Sequence, residues 1–216
     1  MNVEVWSDIV CPFCYIGKRR FESALEQYEG RENVTIIFKS FQLDPNAKKE
    51  AGQDIHQRLA TKYGVSYEEG KNMNHQMAEQ AKEEGLDYHF DTIVPTNTLD
   101  AHRLTHYAKA HGKMNEMTER LMKAYFTDSL DIGDHDTLVD LAESVGLDKQ
   151  ASRNILEAST YEQNVIGEQQ EGAELGVQGV PFFVFNRKYA VSGAQSPDTF
   201  LDVLHKVEQE DKGTEQ

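Results

Sequence analysis

Hydrophobic and polar positions follow a strand-like pattern at the two ends of the chain. Residues 2–6 alternate as NVEVW, and residues 33–43 are rich in β-branched and aromatic side chains. Two further apolar runs, residues 180–186 and 189–193, are separated by only two residues, which is a spacing typical of a hairpin. The pattern therefore predicts four strands, two early and two late.

Apolar residues recur at helical spacing through the rest of the chain. A first helix is predicted from Cys14 to a stop at Gly30, and a last helix begins at about Pro197 with Ser196 as its cap. The long middle, from about residue 54 to 170, is helical almost throughout. Its predicted segments are 54–63, 67–85, 97–112, 114–128, 135–146, 149–159 and 161–176. The predicted N-caps there are Asp54, Asn97, Asp134 or Asp136, and Asp148.

The order of these elements indicates an α/β fold. Strand, helix and strand at the start suggest a βαβ unit with a parallel pair, and the end supplies a ββα unit. Neither unit alone covers both faces of a sheet, so we expect them to join in one mixed four-stranded sheet with a large all-α insertion. The predicted discontinuous domain is 1–50 and 172–211, the inserted helical domain is 51–171, and 212–216 is a flexible tail.

Net charge and hydropathy argue against several classes of function. The chain carries 22 Lys and Arg against 37 Asp and Glu, a formal net charge of −15, which repels nucleic acid and anionic lipid. No stretch approaches the roughly 20 apolar residues of a membrane helix, and the amino terminus does not read as a signal peptide. We therefore expect a cytoplasmic protein with no nucleic-acid or membrane partner.

The only two cysteines, Cys11 and Cys14, lie where the first strand turns into the first helix. A helix N-terminus stabilises a thiolate through its unpaired N–H groups and its dipole, and Pro12 suits the first helical turn. One turn separates the two sulfur atoms, which is close enough for a disulfide. We expect Cys11 to be an exposed nucleophile and Cys14 the more buried resolving thiol.

Three other interpretations of this pair stay open at this point. A zinc site requires two more ligands, which His102 and His106 could supply from one face of a helix. The cysteines could instead be two small apolar core residues. A non-enzymatic alternative is an adaptor or chaperone-like module whose helical block binds a partner protein.

Three stretches of the chain carry a resemblance to a known family. They are SDIVCPFCYIG (7–17), NTLDAHRL (97–104) and GVQGVPFFVFNRKYAVSGAQ (176–195). Over nearly its full length the chain resembles the DsbA-like thioredoxin-fold oxidoreductases. Within them it is most similar to the FrnE-like branch, which is related to 2-hydroxychromene-2-carboxylate isomerases and kappa-class glutathione transferases. The resemblance implies a thioredoxin-like fold and a thiol–disulfide oxidoreductase that works through a mixed disulfide with protein or small-thiol substrates.

The resemblance also implies a substrate site. It implies that the Val180–Pro181 peptide bond is cis and faces the dithiol. The backbone N–H and C=O groups of Val180 would then be available to pair with an extended substrate. Pro12 and Phe13 belong to the same site. Asn97 and His102 are implied to line the cleft beside the helical insertion, although the residues alone fit a helix cap and a buried contact equally well. From the residues themselves we predict an apolar rim formed by Trp6, Phe13, Tyr15 and Phe182, although Trp6 fits an ordinary core residue as well.

Two departures from the relatives bear on the reaction. Related isomerases and transferases typically carry serine at the position of Cys11, whereas this chain has both thiols, which favours disulfide exchange. Strongly oxidising DsbA enzymes carry histidine where this chain has Phe13. Phenylalanine offers a thiolate neither a hydrogen bond nor a charge. We therefore expect a weaker oxidant, which works toward disulfide reduction or isomerisation.

The alternative function is a glutathione-dependent isomerase or transferase acting on an aromatic or polyketide-like molecule. No bound cofactor is expected, and glutathione enters only as a co-substrate. Its carboxylates would need basic side chains, for which the candidates are Lys18, Arg19, Arg20 and Arg103. For the run 18–20 we favour a solvated helix face instead. The physiological substrate and the oligomeric state are left open.

Overall fold

The structure is a computed structural model that describes residues 1–48 and 54–214. The predicted domain boundary between residues 50 and 51 and the last two residues of the predicted tail lie outside these ranges. The strands are β1 (Asn2–Ser7), β2 (Thr35–Ser40), β3 (Phe182–Phe185) and β4 (Tyr189–Ser192). The described helices are α1 (Pro12–Gln27), α2 (Ile55–Tyr63), α3 (Tyr67–Glu83), α4 (Leu99–Ala110), α5 (Met114–Phe126), α6 (His135–Ser144), α7 (Lys149–Glu157), α8 (Glu162–Glu174) and α9 (Pro197–Thr214).

The four strands form one mixed sheet in the order β2-β1-β3-β4, as the sequence predicts. Strand β1 pairs in parallel with β2 and antiparallel with β3, and β3 and β4 form the predicted hairpin. The hairpin turn places Asn186 and Arg187 at φ values of 47° and 56°, the left-handed geometry of a tight two-residue turn. Strand β2 covers Thr35–Ser40 and is thus shorter than the predicted range 33–43. Beyond its end the backbone N–H of Leu43 donates to the side chain of Asp8, at 2.8 Å from Oδ2, and not to the backbone of a neighbouring strand.

Helices α1 and α9 pack on one face of the sheet. Val3 and Val5 of β1 meet the side chains of Phe21, Phe183 and Phe200, which form an aromatic cluster with ring centroids 4.6–5.4 Å apart. All five side chains are buried, and burial of large apolar side chains is the main stabilising contribution to a fold. This packing fixes α1 on the sheet, and with it the two cysteines at its N-terminus.

The helical block from α2 to α8 has its own apolar core, which continues directly into α1. Leu104, Leu121 and Phe126 of the block belong to the same buried cluster as Cys14 and Ile16. The dithiol therefore lies at the junction between the sheet and the helical block. Among the described residues no helix combines enough length with enough apolar character to cross a membrane.

Two predicted domain limits fall within helices. Residues 171 and 172 are both part of α8, because this helix packs on the other face of the sheet: Trp6 Nε1 donates to Glu168 O at 2.9 Å. The predicted limit between residues 211 and 212 falls within α9, which continues to Thr214. The division of the chain into two domains itself stays a prediction.

Most of the predicted helix caps are confirmed. Asp54, Asp134 and Asp148 are the N-caps of α2, α6 and α7, and each carboxylate accepts a backbone hydrogen bond of the first turn. Ser196 Oγ accepts from Thr199 N at 3.3 Å at the start of α9. Asn97 is not the N-cap of α4, because the helix begins one residue later with Thr98 as its N-cap.

Candidate active site

The two cysteines lie at the N-terminus of α1. Cys11 is the N-cap residue in extended conformation, and Pro12 follows as the first helical residue, where a missing N–H costs no hydrogen bond. The N–H of Cys14 donates to Cys11 O at 3.1 Å, which closes the first turn. The first turn contains no acidic side chain that would repel an anion. The two thiols are not joined by a disulfide.

Both cysteines are buried, so the prediction that Cys11 is exposed is wrong. Cys11 is 3% exposed and Cys14 is 2% exposed. The reason is the loop before β3: the thiol of Cys11 donates to Val180 O at 3.6 Å, so the loop covers the sulfur. The side chain of Phe13, which lies between the cysteines, is 44% exposed.

The thiol of Cys14 has a strongly perturbed acidity. Burial raises its pKa well above the ordinary value, and the neighbouring Cys11 raises it further. Hydrogen bonding from the Asp8 backbone and the Ser7 hydroxyl acts in the opposite direction without overcoming the burial. Burial therefore favours the neutral thiol of Cys14 over its thiolate.

The loop that faces the dithiol is held tightly against α1. The Val180–Pro181 peptide bond is cis, as the resemblance implies, and Gly193 N donates to Pro181 O at 2.8 Å. On the α1 side the loop meets Gly17, where a Cβ atom would lie only 2.9 Å from Pro181 Cγ. Gly17 is thus a site residue that the sequence reasoning missed. Its signal is a glycine inside a helix, one turn after the second cysteine.

Asn97 and His102 are both engaged in internal hydrogen bonds. Asn97 Oδ1 accepts from Leu99 N at 2.9 Å, and its amide donates to Pro45 O and Ala47 O at 3.0 Å, so it ties α4 to the segment after β2. His102 Nε2 lies 3.1 Å from Asp8 Oδ1 within the interior. These contacts fit the cap-like and buried-contact interpretations. The implied role of the two side chains in substrate binding stays a prediction.

The zinc interpretation gains no support from the histidines. His106 Nε2 lies 3.2 Å from both Ser40 Oγ and Glu168 Oε2, and His102 is paired with Asp8. Within the described parts of the chain no group of three or more His, Cys, Asp or Glu side chains is arranged to hold a metal ion.

The basic residues considered for glutathione are bound within the protein. Lys18 and Arg19 both form ion pairs with Glu119 of α5, at 2.6 Å and 2.5 Å. Arg20 pairs with Glu84 at 2.6 Å. Arg103 is buried, and its guanidinium pairs with Asp100 and donates to backbone carbonyls of the α7–α8 region. The interpretation of 18–20 as a solvated face is wrong, because Lys18 is 7% exposed and the run faces the insertion.

The predicted apolar rim is only partly present. Phe13 is exposed and Phe182 is half-buried, so both can meet a substrate. Trp6 is fully buried, and Tyr15 is a core residue whose hydroxyl donates to Glu119 Oε1 at 2.5 Å.

A further residue that the sequence reasoning missed is Tyr88, whose hydroxyl donates to Pro12 O at 2.8 Å and so ties the insertion to the first turn of α1.

A cleft of about 880 Å³ opens beside the N-terminus of α1, a size typical of ligand pockets. Val10 and Pro12 line it at the dithiol end, and the other walls come from the segment after β2 and from the helical block. Its apolar lining includes Leu43, Ile55, Leu59, Phe90 and Phe126, and its charged lining includes Asp8, Asp44, Arg58 and Lys62.

Comparisons with known proteins agree with this geometry. A crystal structure of a probable DsbA oxidoreductase from Streptomyces coelicolor is similar with a TM-score of 0.92 and 39% identity, and the match covers 97% of this chain and 91% of that one. A 2-hydroxychromene-2-carboxylate isomerase shares the fold with a TM-score of 0.71, 14% identity and 99% coverage of both chains. The predicted thioredoxin-like fold with a helical insertion is thus confirmed.

Relatives in sequence identify the family. The protein YwbO of Bacillus subtilis (strain 168), described as uncharacterized, is 30% identical over 203 residues, which are 93% of this chain and 94% of that protein. A family model described as a DSBA-like thioredoxin domain matches residues 2–205. The chain therefore belongs to the family of DsbA-like thioredoxin-domain proteins.

Proposed function

We propose that this protein is a thiol–disulfide oxidoreductase that exchanges disulfides with protein or small-thiol substrates through Cys11 and Cys14. The observation that carries the proposal is the position of Cys11. Its thiol is at the N-cap of α1, 3.6 Å from the carbonyl oxygen of Val180, with the second thiol one turn further on. The helix dipole and the unpaired N–H groups of the first turn stabilise a thiolate at this place.

The reaction proceeds in two exchanges. The thiolate of Cys11 attacks one sulfur of a substrate disulfide, so that a Cys11–substrate mixed disulfide forms and the other substrate sulfur leaves as a thiolate and takes up a proton. Cys14 then loses its proton and attacks the Cys11 sulfur. The second substrate thiolate leaves, and the Cys11–Cys14 disulfide remains until an external dithiol reduces it.

The surroundings of Cys11 support a reducing or isomerising role. Phe13 projects outward with 44% exposure and offers the Cys11 thiolate neither charge nor a hydrogen bond. A thiolate that lacks such help is less strongly stabilised, so the reduced form of the pair is less favoured and its disulfide form is a weaker oxidant.

The loop and the cleft support an extended substrate. Val180 O accepts the Cys11 thiol in the reduced protein, and this contact is released once Cys11 forms a mixed disulfide. The carbonyl is then available to the backbone of a peptide segment, in the manner of strand addition. Beyond Pro12 the cleft offers apolar walls for the side chains of that segment.

The proposal is tested by insulin reduction in the presence of dithiothreitol. We expect the native protein to accelerate precipitation of the reduced insulin chains and Cys11→Ser to leave only the uncatalysed rate. Ser152→Ala, which removes a buried hydroxyl in α7 that donates to Asp148 O, is the matched control and is expected to retain the activity. Equal rates for the native protein and Cys11→Ser would refute the proposal.

A glutathione-dependent isomerase or transferase is the second candidate, since the fold is shared with a 2-hydroxychromene-2-carboxylate isomerase. The internal ion pairs of Lys18, Arg19 and Arg20 weigh against it, because these cations are already satisfied by Glu119 and Glu84. Calorimetric titration of the reduced protein with S-methylglutathione separates the two. Saturable binding that Cys11→Ser retains would favour the second candidate.

A further inference from the structure

The side chain of Arg20 joins three parts of the molecule that are far apart in the sequence. Arg20 lies on α1, three positions after Gly17, and its Nε atom donates to Glu84 Oε1 at 2.6 Å at the end of α3. Its Nη1 atom donates to Ala194 O at 2.7 Å, in the segment between β4 and α9. The guanidinium therefore connects α1, the helical block and the segment that follows the hairpin.

The two contacts of Arg20 use the geometry of the guanidinium group. This group carries five N–H donors in a rigid plane, so Arg20 can bind a carboxylate and a carbonyl oxygen at the same time. The side chains of Arg20 and Glu84 are only 18% and 19% exposed, so water competes little for these bonds. Among the described residues no other group donates to Ala194 O. The position of this carbonyl group thus depends on Arg20.

The segment that Arg20 binds is in turn bound to the loop that faces the dithiol. We call residues 193–195 the Ala194 loop and residues 178–181 the Val180 loop. Gly193 N donates to Pro181 O at 2.8 Å, so the two loops are joined by their backbones. Val180 and Ala194 both pack against the buried cluster that contains the two cysteines. A displacement of the Ala194 loop would therefore displace the Val180 loop as well.

The position of the Val180 loop decides whether a peptide can bind beside the dithiol. Val180 O lies 3.6 Å from the Cys11 sulfur, and Val180 N has no hydrogen-bond partner in the part of the chain that the structure describes. An extended peptide pairs with such backbone groups by strand addition, which requires them at a fixed distance from the attacking sulfur. A small disulfide has no peptide backbone to pair and requires only the sulfur.

We propose that Arg20 is a positioning residue that gives the protein a preference for extended peptide disulfides over small ones. Through the Ala194 loop it holds the Val180 loop in the position that pairs with the peptide. This inference rests on the proposed function. In the step concerned, the Cys11 thiolate attacks the peptide sulfur and a Cys11–peptide disulfide forms. The other sulfur leaves as a thiolate with the electron pair of the broken bond.

The expected effect of losing Arg20 is weaker peptide binding with unchanged thiol reactivity. Glu84 neutralises the guanidinium, so Arg20 acts through its hydrogen bond to Ala194 and not through a field at Cys11. A hydrogen bond from a charged donor favours one arrangement of its partner by about ten- to hundredfold. The bond between the two loops remains, so only part of this factor is lost. We expect Arg20→Met to raise the half-saturating concentration of a peptide disulfide by about three- to thirtyfold.

The limiting rate at saturating peptide should change by less than about twofold, because the contact with the Val180 loop is present before and during the attack. The test measures the first attack alone, in a Cys14→Ser background where the adduct on Cys11 is not resolved. The probe is an extended peptide whose single cysteine carries a thionitrobenzoate group, and attack by Cys11 releases coloured thionitrobenzoate. The mixed disulfide of mercaptoethanol and thionitrobenzoate has the same leaving group without a peptide backbone.

Three variants accompany Arg20→Met in the same background. Arg20→Lys keeps the charge but has a single ammonium for both partners, so it should recover part of the peptide binding. Glu84→Gln keeps an acceptor for Arg20 Nε and leaves the bond to Ala194, so it should bind the peptide as the Cys14→Ser protein does. The matched control is Arg120→Met, which breaks a partly buried ion pair with Asp128 and removes no hydrogen bond to either loop.

The ratio between the two probes separates a positioning role from a general structural one. We expect Arg20→Met to lose peptide binding by the stated factor and to react with the small disulfide at the unchanged rate, and thermal unfolding is measured for each variant. Unchanged half-saturation by the peptide in Arg20→Met would overturn the inference, as would equal slowing with both disulfides. A Cys14→Ser protein that reacts with neither disulfide would instead refute the proposed function itself.

Discussion

Replacement of Gly17 by alanine is predicted to disturb the cis-proline loop from within the helix that carries the dithiol. A Cβ atom at position 17 would lie 2.9 Å from Pro181 Cγ and 3.4 Å from the Cα and Cβ atoms of Ala194. Carbon atoms in contact are ordinarily about 3.5–4.0 Å apart. The pyrrolidine ring of Pro181 is rigid, so the loop has to move away by roughly half an ångström or more, and it carries the Val180 carbonyl with it.

The expected change in the free energy of unfolding of Gly17→Ala can be compared with that of a matched variant, Gly167→Ala. Exchange of glycine for alanine inside a helix gains about 1 kcal/mol, whereas overpacking of a tight contact costs about 1–3 kcal/mol. Gly17→Ala is therefore expected to change the free energy of unfolding by roughly 0 to −2 kcal/mol. Gly167→Ala, inside α8, has no atom within 4 Å of the new Cβ and should gain about 0.5–1 kcal/mol.

The assay is urea unfolding of both variants together with their insulin-reduction rates. We expect Gly17→Ala to be the less stable of the two by about 1–3 kcal/mol and to be slower than the native protein, whereas Gly167→Ala retains the native rate. If Gly17→Ala were as stable as Gly167→Ala and equally active, the close packing of the loop on α1 would be refuted.

Three further predictions concern charge, packing and redox tuning. Burial raises the pKa of Glu168, but hydrogen bonding with His106 and the end of β2 outweighs it and lowers the pKa to about 2. Stability from this group is therefore complete above about pH 4.5 and is lost as the pH falls toward 2, so acid unfolding of Glu168→Gln should depend less on pH. Gly172→Ala places a Cβ 2.7 Å from Nε1 of the single tryptophan, Trp6, and should shift its fluorescence emission. Phe13→His should raise the reduction potential by about 30 mV or more, measured in glutathione buffers, because a cationic neighbour stabilises the Cys11 thiolate.

The secondary structure could be predicted from the sequence because its signals are local. The alternation predicted a strand where β1 lies, and the helical spacing predicted the helices of the insertion. The caps Asp54, Asp134 and Asp148 could be predicted because each carboxylate accepts from a backbone N–H only two or three residues further along the chain. The parallel pairing of β1 and β2 followed from the helix between them.

The surroundings of the site could not be predicted because they depend on contacts between distant parts of the chain. Cys11 is covered by Val180, 169 positions away, and Lys18 is neutralised by Glu119, 101 positions away. Trp6 is buried because α8 crosses the sheet above it and accepts its N–H at Glu168. In each case the local sequence pattern is compatible with an exposed side chain, whereas contacts with residues far along the chain bury it.

Trapping of the mixed disulfide distinguishes the roles of the two cysteines, with Cys11 as the attacking thiol and Cys14 as the thiol that resolves the adduct. Cys14→Ser is incubated with oxidised glutathione or a disulfide-bonded peptide, quenched with acid, and analysed by peptide mass spectrometry without reduction. We predict a stable adduct on Cys11, with none on Cys11→Ser treated in the same way. An adduct that forms on Cys14 in Cys11→Ser at the same rate, or no adduct on either variant, would contradict it.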